Sequence, residues 1–582
     1  MAAASLRDSP TAVAVGAQPR GLPPPRGRRA LERLRASLVP LFPEGPLRPR
    51  SSAEVAAAAA ATLAAVALWA WVLLERQVGV RPWNSVWAED GGIFYPQAVS
   101  HPFASLLRPY NGYLQLVPRL IAVAVAALPF QDVAAGFAVA GAVVAATCAV
   151  AAFYASAGHV RALPLRLLLT ASVILLPRAL TEISANGVNT PWYLLFTMFW
   201  MLLWRPRSRG GMAVSFLICF AAASSNALAA VYAPLVLARI AALPRARDHA
   251  GTTGWAAGGV LQLSAVLRSP GVGLTGSPGL ALSFFLHVVL VPAVAGQHLA
   301  SVLAADSSGT VVVTAAVCAV AAVTGWALIN ADMRVRLLVT ATLGLALAFV
   351  LVTAITRGWG TPGRDNVAAM GDRYATTPIL LTTSLAIVAA DVPLRRARTR
   401  AGHAWHALPA LTLTALLAAS WVSDFSYPTM RSSNPPWSRL VAGFQQRCGT
   451  QQTPAGWAQM PPMHWIQSPP TLPCSLAGTQ PDPPPAAGQP GRSRYQRVKV
   501  RWVTPPGPPT APAYKPLPGS ARPPGLVPPH AGAPPVRPHG HPRASVTRMC
   551  VELTARSEVH ELPRLGPPSG SATGRQRLVR NS

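Results

Sequence analysis

The chain has 582 residues, of which 51% are hydrophobic and only 12% charged, and its mean hydropathy is +0.32. That charged share is about half the value of a soluble globular protein. The composition therefore excludes a soluble enzyme and a mostly disordered chain, and it calls for many apolar spans of roughly 20 residues each. The formal net charge is +30, but the excess sits in loops and in two tails, so a nucleic-acid partner is not expected. All but two of the 50 basic residues are arginine, the exceptions being Lys499 and Lys515. With the abundant Ala, Pro and Gly, this matches a high-GC bacterial coding sequence.

Residues 1–52 are rich in Pro and Arg and hold nine Arg without a cleavable apolar leader. They read as a disordered N-terminus, which the positive-inside rule places in the cytoplasm. The first apolar run, 53–74, serves as an uncleaved first span, and residues 75–130 then form a long first outer loop. Within that loop, 114–129 is apolar but short and carries Gln115 and Arg119, so it reads as an interfacial helix. The next spans are 133–156, 165–180 and 190–204. The run 211–243 is long enough for an out-and-back pair broken near Ser224–Asn226. After an ambiguous 255–267 come 280–304, 310–329, 337–356, 378–390 (starting near Tyr374) and 404–422. Arginines follow the spans on alternate sides, which sets the orientation of each. The expected fold is an all-α polytopic membrane protein of about eleven spans over residues 53–424, with the N-terminus cytoplasmic and the C-terminus outside. Residues 425–479 read as a small outer segment. Residues 480–582, rich in Pro and Arg with little apolar content, read as a disordered tail.

Six cysteines are too few for a disulfide framework. Cys148, Cys219 and Cys318 lie in apolar runs and read as packing residues. Cys448 and Cys474 lie in the polar outer segment and are the plausible disulfide if that segment is extracytoplasmic. Cys550 is left over.

With this orientation the unusual polar residues gather in three outer loops. The first offers Glu89, Asp90, Tyr110, Asn111 and Arg119. The second offers Arg178, Glu182, Asn186 and Asn189, and the third Arg364, Asp365, Asp372, Arg373 and Tyr374. Ionisable groups at a membrane boundary are costly unless paired or hydrated, so a one-sided cluster of acids and arginines marks an outward-facing site. Asp90, or Glu89 beside it, has the chemistry of a general base for an attacking hydroxyl; the plainer role for Asp90 is to cap a helix starting near Ile93. Arg373 suits a bidentate grip on phosphate, with Arg178 and Arg119 as weaker candidates, each also explained by snorkelling at a helix end. Asn186 and Asn189 can hydrogen-bond a sugar, or simply build a turn. Tyr110, Asn111 and Tyr374 can face a sugar ring or anchor at the interface. There is no Gly-rich phosphate loop with Lys, no HExxH, no paired CxxC and no Gly-x-Ser-x-Gly elbow in an outer loop, so no nucleotide site is visible.

This layout resembles the GT-C class of membrane glycosyltransferases. The resemblance rests on the Glu89–Asp90 pair soon after the first span, the amphipathic 114–129 helix and the late outer Arg373–Tyr374, and it covers roughly residues 53–424. It implies transfer of a sugar from a polyprenyl-phosphate donor to an envelope glycan, lipid or protein on the extracytoplasmic face. It also implies inversion at the anomeric carbon, with Asp90 as base, Glu89 orienting it or helping to bind a divalent metal, and Arg373 on the lipid phosphate. Two other classes stay open: a transporter or flippase of lipid-linked sugars, and a non-catalytic envelope scaffold whose tail binds polymer.

Overall fold

The computed structural model of the chain describes residues 26–44, 51–176, 182–269, 278–296, 309–357, 373–399, 408–426, 431–432, 434–450, 457–460 and 470–478. Arg178, Arg364, Asp365, Asp372 and the 480–582 tail lie outside the described residues. The first helix, α1 (Arg26–Leu38), precedes the apolar helix α2 (Ser52–Glu75). The start of α2 is written in its sequence. The Ser51 hydroxyl accepts from the Glu54 amide at 3.2 Å, and the Glu54 carboxylate accepts from the Ser51 amide at 2.9 Å. This reciprocal capping box satisfies two donors that an open helix end would leave bare.

The first loop folds into three short helices, α3 (Tyr95–Ser100), α4 (Pro102–Leu106) and α5 (Leu116–Ala126). Then come α6 (Val133–Ala155), α7 (Leu163–Ile174) and α8 (Thr190–Leu203). Every residue of α8 is buried, and most of α6 is buried too, so these two form the centre. The alanines of α6 let its neighbours approach closely. A side chain at Gly141 would meet the Asn186 carbonyl oxygen at 2.5 Å.

The run expected as an out-and-back pair is α9 (Arg209–Ser225), a 3₁₀ segment Ala227–Tyr232 and α10 (Ala233–Ala242). The break falls at Asn226, whose side chain accepts from the Leu228 amide. Arg239 near the end of α10 donates to the carbonyls of Leu202 and Trp204, just before α9 begins, so α9 leaves this end of the bundle and α10 returns to it. The ambiguous stretch is a single helix, α11 (Ala250–Leu267). It lies flat along α9 because Gly251, Gly254 and Gly258 present no side chain there; a Cβ on Gly258 would sit 2.6 Å from the Phe220 carbonyl oxygen.

Of the expected 280–304 span, residues 280–296 are described and 297–304 lie outside the described residues. Helix α12 (Pro278–Phe284) passes through a π-helical turn at Phe285–Leu290 into α13 (Val291–Ala295), and Gly296, at φ +80°, ends it. The late helices are α14 (Gly309–Asn330), α15 (Met333–Thr356), α16 (Arg373–Thr399) and α17 (Leu408–Ser423). The 425–479 segment contributes α18 (Trp437–Thr450) and one antiparallel pair, β1 (Trp457–Gln459) with β2 (Thr471–Pro473). Cys448 and Cys474 are joined by a disulfide. This cap has its own apolar core, in which Trp437, Phe444 and Met460 pack with Phe94, Tyr95 and Phe130 of the first loop.

Among the described residues, five helices are long and apolar enough to cross a membrane: Ser52–Glu75, Phe130–Gly158, Val311–Asn330, Met333–Thr356 and Arg373–Arg395. Seven more are apolar but only 10–17 residues long, and the expected count of about eleven spans draws on several of these. Among the described residues the fold is helical apart from the small strand pair, and its apolar helices fit membrane association.

The two ends of the bundle differ. At one end, Arg205 pairs with Glu44 at 3.1 Å and Asp248 at 3.2 Å, and Asp391 accepts from the amides of Arg161 and Ala162 and from Arg395. The break at Asn226 and the start of α16 lie at the other end, where a small polar cavity opens. The α9–α11 contact yields a paired test. Gly258→Leu should lower the thermal midpoint of the detergent-purified protein, because the helix backbones must separate. Gly259→Ala, which meets nothing within 4 Å, should leave it unchanged or raise it slightly through the better helix propensity of Ala.

Candidate functional site

Three segments far apart in sequence converge on the cavity. The first is the turn Asp90–Phe94, π-helical in its hydrogen bonding, with Glu89 just before it. The second is the loop from Glu182 to Asn189, and the third is the start of α16. Arg373 Nη1 donates to Glu89 Oε1 at 3.1 Å, and Arg373 Nε lies 3.7 Å from Glu182 Oε2. The Arg373 amide also donates to Glu182 Oε2 at 3.2 Å, which sets an acid at the N-terminal end of α16, where the helix dipole favours it. One guanidinium thus bridges two carboxylates from two different loops.

The cavity is lined by Glu89, Tyr110, Asn111, Asn189, Arg373 and Tyr374 from the sequence-derived candidates, and by Tyr113, Gln115, Trp192, Ser225, Asn226 and Arg357 besides. Its free volume is about 20 Å³, enough for a water molecule, so any larger ligand requires the walls to part. Arg357 and Arg373, at the two ends of residues 358–372, both line it. Arg357 donates to the Tyr113 hydroxyl at 3.2 Å and lies over the Tyr113 and Tyr374 rings, at 5.4 and 5.6 Å. Tyr374 meets Trp192 edge-on at 5.3 Å. Tyr110 and Asn111 sit here because Asn111-Gly112 makes a tight hairpin turn. Both residues have positive φ, +52° and +86°, and Tyr110 and Tyr113 exchange backbone hydrogen bonds across it.

Asp90 occupies a different place from its neighbour. It is fully buried, and neither of its oxygens caps a helix. Oδ2 accepts from the Gly187 amide at 2.9 Å and Oδ1 from the Val188 amide at 2.8 Å. It does not line the cavity; Glu89 does. Burial pushes the Asp90 carboxyl up to about 7, against the pull of the Gly187 amide and of Arg431, with Glu89 adding to the rise. Asn186 is likewise a builder of the loop. Its side chain donates to the Glu182 carbonyl and accepts from the Asn189 amide at 3.0 Å. Asn189 donates to the same Glu182 carbonyl at 2.9 Å, which holds it at the cavity wall.

Sequence reasoning passed over Arg431. It is fully buried and donates to the carbonyls of Ser184, Ala185, Pro82 and Ser85, at 2.6 to 3.1 Å. Burial lowers it to about 10, with Asp90 opposing the fall, so it stays charged at neutral pH. No local pattern around residue 431 announces this role. Among the described residues, no group of three or more His, Cys, Asp or Glu gathers as a metal would require. Glu89, which lines the cavity, and Glu182 are both turned to Arg373.

Comparison of the chain with protein-family models, curated proteins and solved structures finds no match.

The raised Asp90 carboxyl has a consequence for stability. A folded-state value above the unfolded one gives a contribution that is whole below about pH 4 and is lost as pH rises through about 7. The thermal midpoint of the wild type should therefore fall between about pH 4 and 7 more steeply than that of Asp90→Asn, as read by intrinsic fluorescence in detergent at matched ionic strength. Parallel slopes would show that Asp90 does not titrate in this range.

Proposed function

We propose that this chain is a membrane glycosyltransferase of GT-C type. It moves a sugar from a polyprenyl-phosphate donor to an envelope glycan, lipid or protein at the extracytoplasmic face. In this reading about eleven helices, several of them short, cross the membrane, with the N-terminus cytoplasmic and the cavity end outside. The observation that carries the proposal is the Arg373 guanidinium bridged to Glu89 and Glu182 in a cavity walled by Tyr and Asn side chains. A cation in that position is suited to a phosphate, and side chains of that kind to a sugar.

In this reading the base is Glu89 rather than Asp90. A base must come within hydrogen-bond reach of the proton it takes. Glu89 faces the cavity, while both Asp90 oxygens are engaged with backbone amides. When a donor phosphate pairs with Arg373 and Arg357, the Glu89 carboxylate is released from Arg373. The acceptor oxygen then attacks the anomeric carbon as its proton passes to Glu89. The bond from that carbon to the phosphate oxygen breaks, and the electron pair leaves with the lipid phosphate, whose charge the two arginines stabilise. Single displacement gives inversion. Asn189, Asn111 and Tyr110 orient the sugar, and Asp90 with Asn186 acts by holding the loop that carries Asn189.

The test is sugar transfer in proteoliposomes given a panel of polyprenyl-phosphate sugars, followed as donor loss and glycosylated product. Arg373→Gln should lower transfer on the order of 100-fold, as removal of a transition-state charge donor does, and Arg373→Lys should retain part of it. Transfer unchanged in Arg373→Gln, at equal folded protein, would remove the site. A second reading, a transporter of lipid-linked sugars, is favoured by one observation. The helix break at Asn226 places Ser225 and Asn226 in the cavity wall, and broken helices bind substrates in transporters. Movement of a labelled lipid-linked sugar across sealed vesicles, without product, would select that reading.

A further inference from the structure

Arg119 of α5 takes no part in the cavity, and among the described residues no acid answers its charge. It is 1% exposed. Nη1 donates to Gln97 Oε1 at 2.8 Å, and the guanidinium carbon lies 5.0 Å from the centre of the Phe94 ring. Nε and Nη2 have no hydrogen-bond partner. The charged neighbour that acts on it is another cation, Arg108. A buried charge without a counter-ion is costly, and a guanidinium does not escape the cost by losing its proton at neutral pH. The free N–H groups are on Nε and Nη2, which point along one edge of the guanidinium. That edge takes two oxygens of one phosphate side by side.

The surroundings say where such a phosphate comes from. Helix α4 packs on α5, and Arg108, two residues beyond α4, is exposed. Beside it, Phe103 is 82% exposed and Leu107 53%. Two bare apolar side chains next to an exposed arginine, with a second, unpaired arginine behind, form an arrangement that is apolar outside and cationic within. A lipid headgroup region has the matching order of acyl chain and phosphate.

We propose that Arg119 and Arg108 bind the phosphate of a membrane phospholipid, with Phe103 and Leu107 immersed among its acyl chains. The site stands apart from the donor site proposed above and does not depend on the reaction assigned there. It lies behind the cavity wall. Gln115, one helical turn before Arg119, lines the cavity, and Phe94, under Arg119, packs edge-on to the cavity residue Tyr110 at 5.5 Å. A bound lipid would brace that wall from outside.

The experiment is thermal unfolding of the full chain, delipidated in neutral detergent, with intrinsic fluorescence as readout. Phosphatidylglycerol, diacylglycerol or inorganic phosphate is added in separate arms. Phosphatidylglycerol should raise the wild-type midpoint by several degrees through selective binding to the folded state, and the other two should not. Arg119→Gln should abolish that rise while keeping or raising the lipid-free midpoint, because an unpaired buried charge is gone. Arg108→Gln, at an exposed position, should reduce the rise and serves as the readout should Arg119→Gln fail to fold. Equal stabilisation of wild type and both variants by phosphatidylglycerol would overturn the proposal. So would an equal rise with diacylglycerol, which lacks phosphate, or with inorganic phosphate, which would make the site one for a free anion.

Discussion

The loop from Ser184 to Asn189 is held from both sides, and the geometry of the cavity depends on that grip. Arg431 takes the carbonyls of Ser184 and Ala185, and Asp90 takes the amides of Gly187 and Val188. The loop is strained enough to need it. Ala185 has φ +49°, rare for a residue with a side chain, and a Cβ on Gly187 would lie 2.9 Å from Asp90 Oδ1. Asp90 and Arg431 are both buried and of opposite charge. Such a pair gains little over apolar residues of similar size, and removing one member leaves the other buried with less compensation. Its use here is positional: with the loop fixed, Asn189 faces the cavity and Glu182 reaches Arg373.

The grip also ties the segment after the last described apolar helix to the first loop. Arg431 belongs to it, and from there the chain runs into α18 and the strand pair, stapled by Cys448–Cys474. Cross-linking across 26 residues restrains the unfolded chain. The cap then buries Trp437 and Phe444 against Phe130, with ring centres 5.2 and 5.3 Å apart. The first loop and the C-terminal cap therefore share one core, and the site-bearing loop, which contributes Val188 to it, lies between them.

Much of this was legible in sequence where the signal is local or periodic. The break near Ser224–Asn226 is read from the polar residues that interrupt an apolar run, and the pairing of Cys448 with Cys474 from their place together in one polar segment. The grouping by charge and expected orientation picks out Glu89, Tyr110, Asn111, Asn189, Arg373 and Tyr374, which meet at the cavity. What sequence could not show is which of two adjacent acids faces the cavity. Glu89 and Asp90 differ by one residue, and a π-helical turn with partners about a hundred residues away decides between them. Arg431 and Glu182 escaped notice, or were undervalued, because their partners lie in distant segments. The Gly-rich α11 was ambiguous because its glycines record close packing on α9, whereas hydropathy records only apolar length.

In the proposed reaction Glu89 takes the proton and Asp90 holds the loop. Sugar transfer by Glu89→Gln and Asp90→Asn, measured beside the thermal midpoint of each, separates the two roles. Glu89→Gln is expected to lose transfer while its midpoint still falls with pH, the fall ending at a somewhat lower Asp90 value because the Glu89 charge is gone, whereas Asp90→Asn flattens that fall and weakens transfer in step with loosening of the loop. Full transfer in Glu89→Gln, together with complete loss in an equally stable Asp90→Asn, would contradict it.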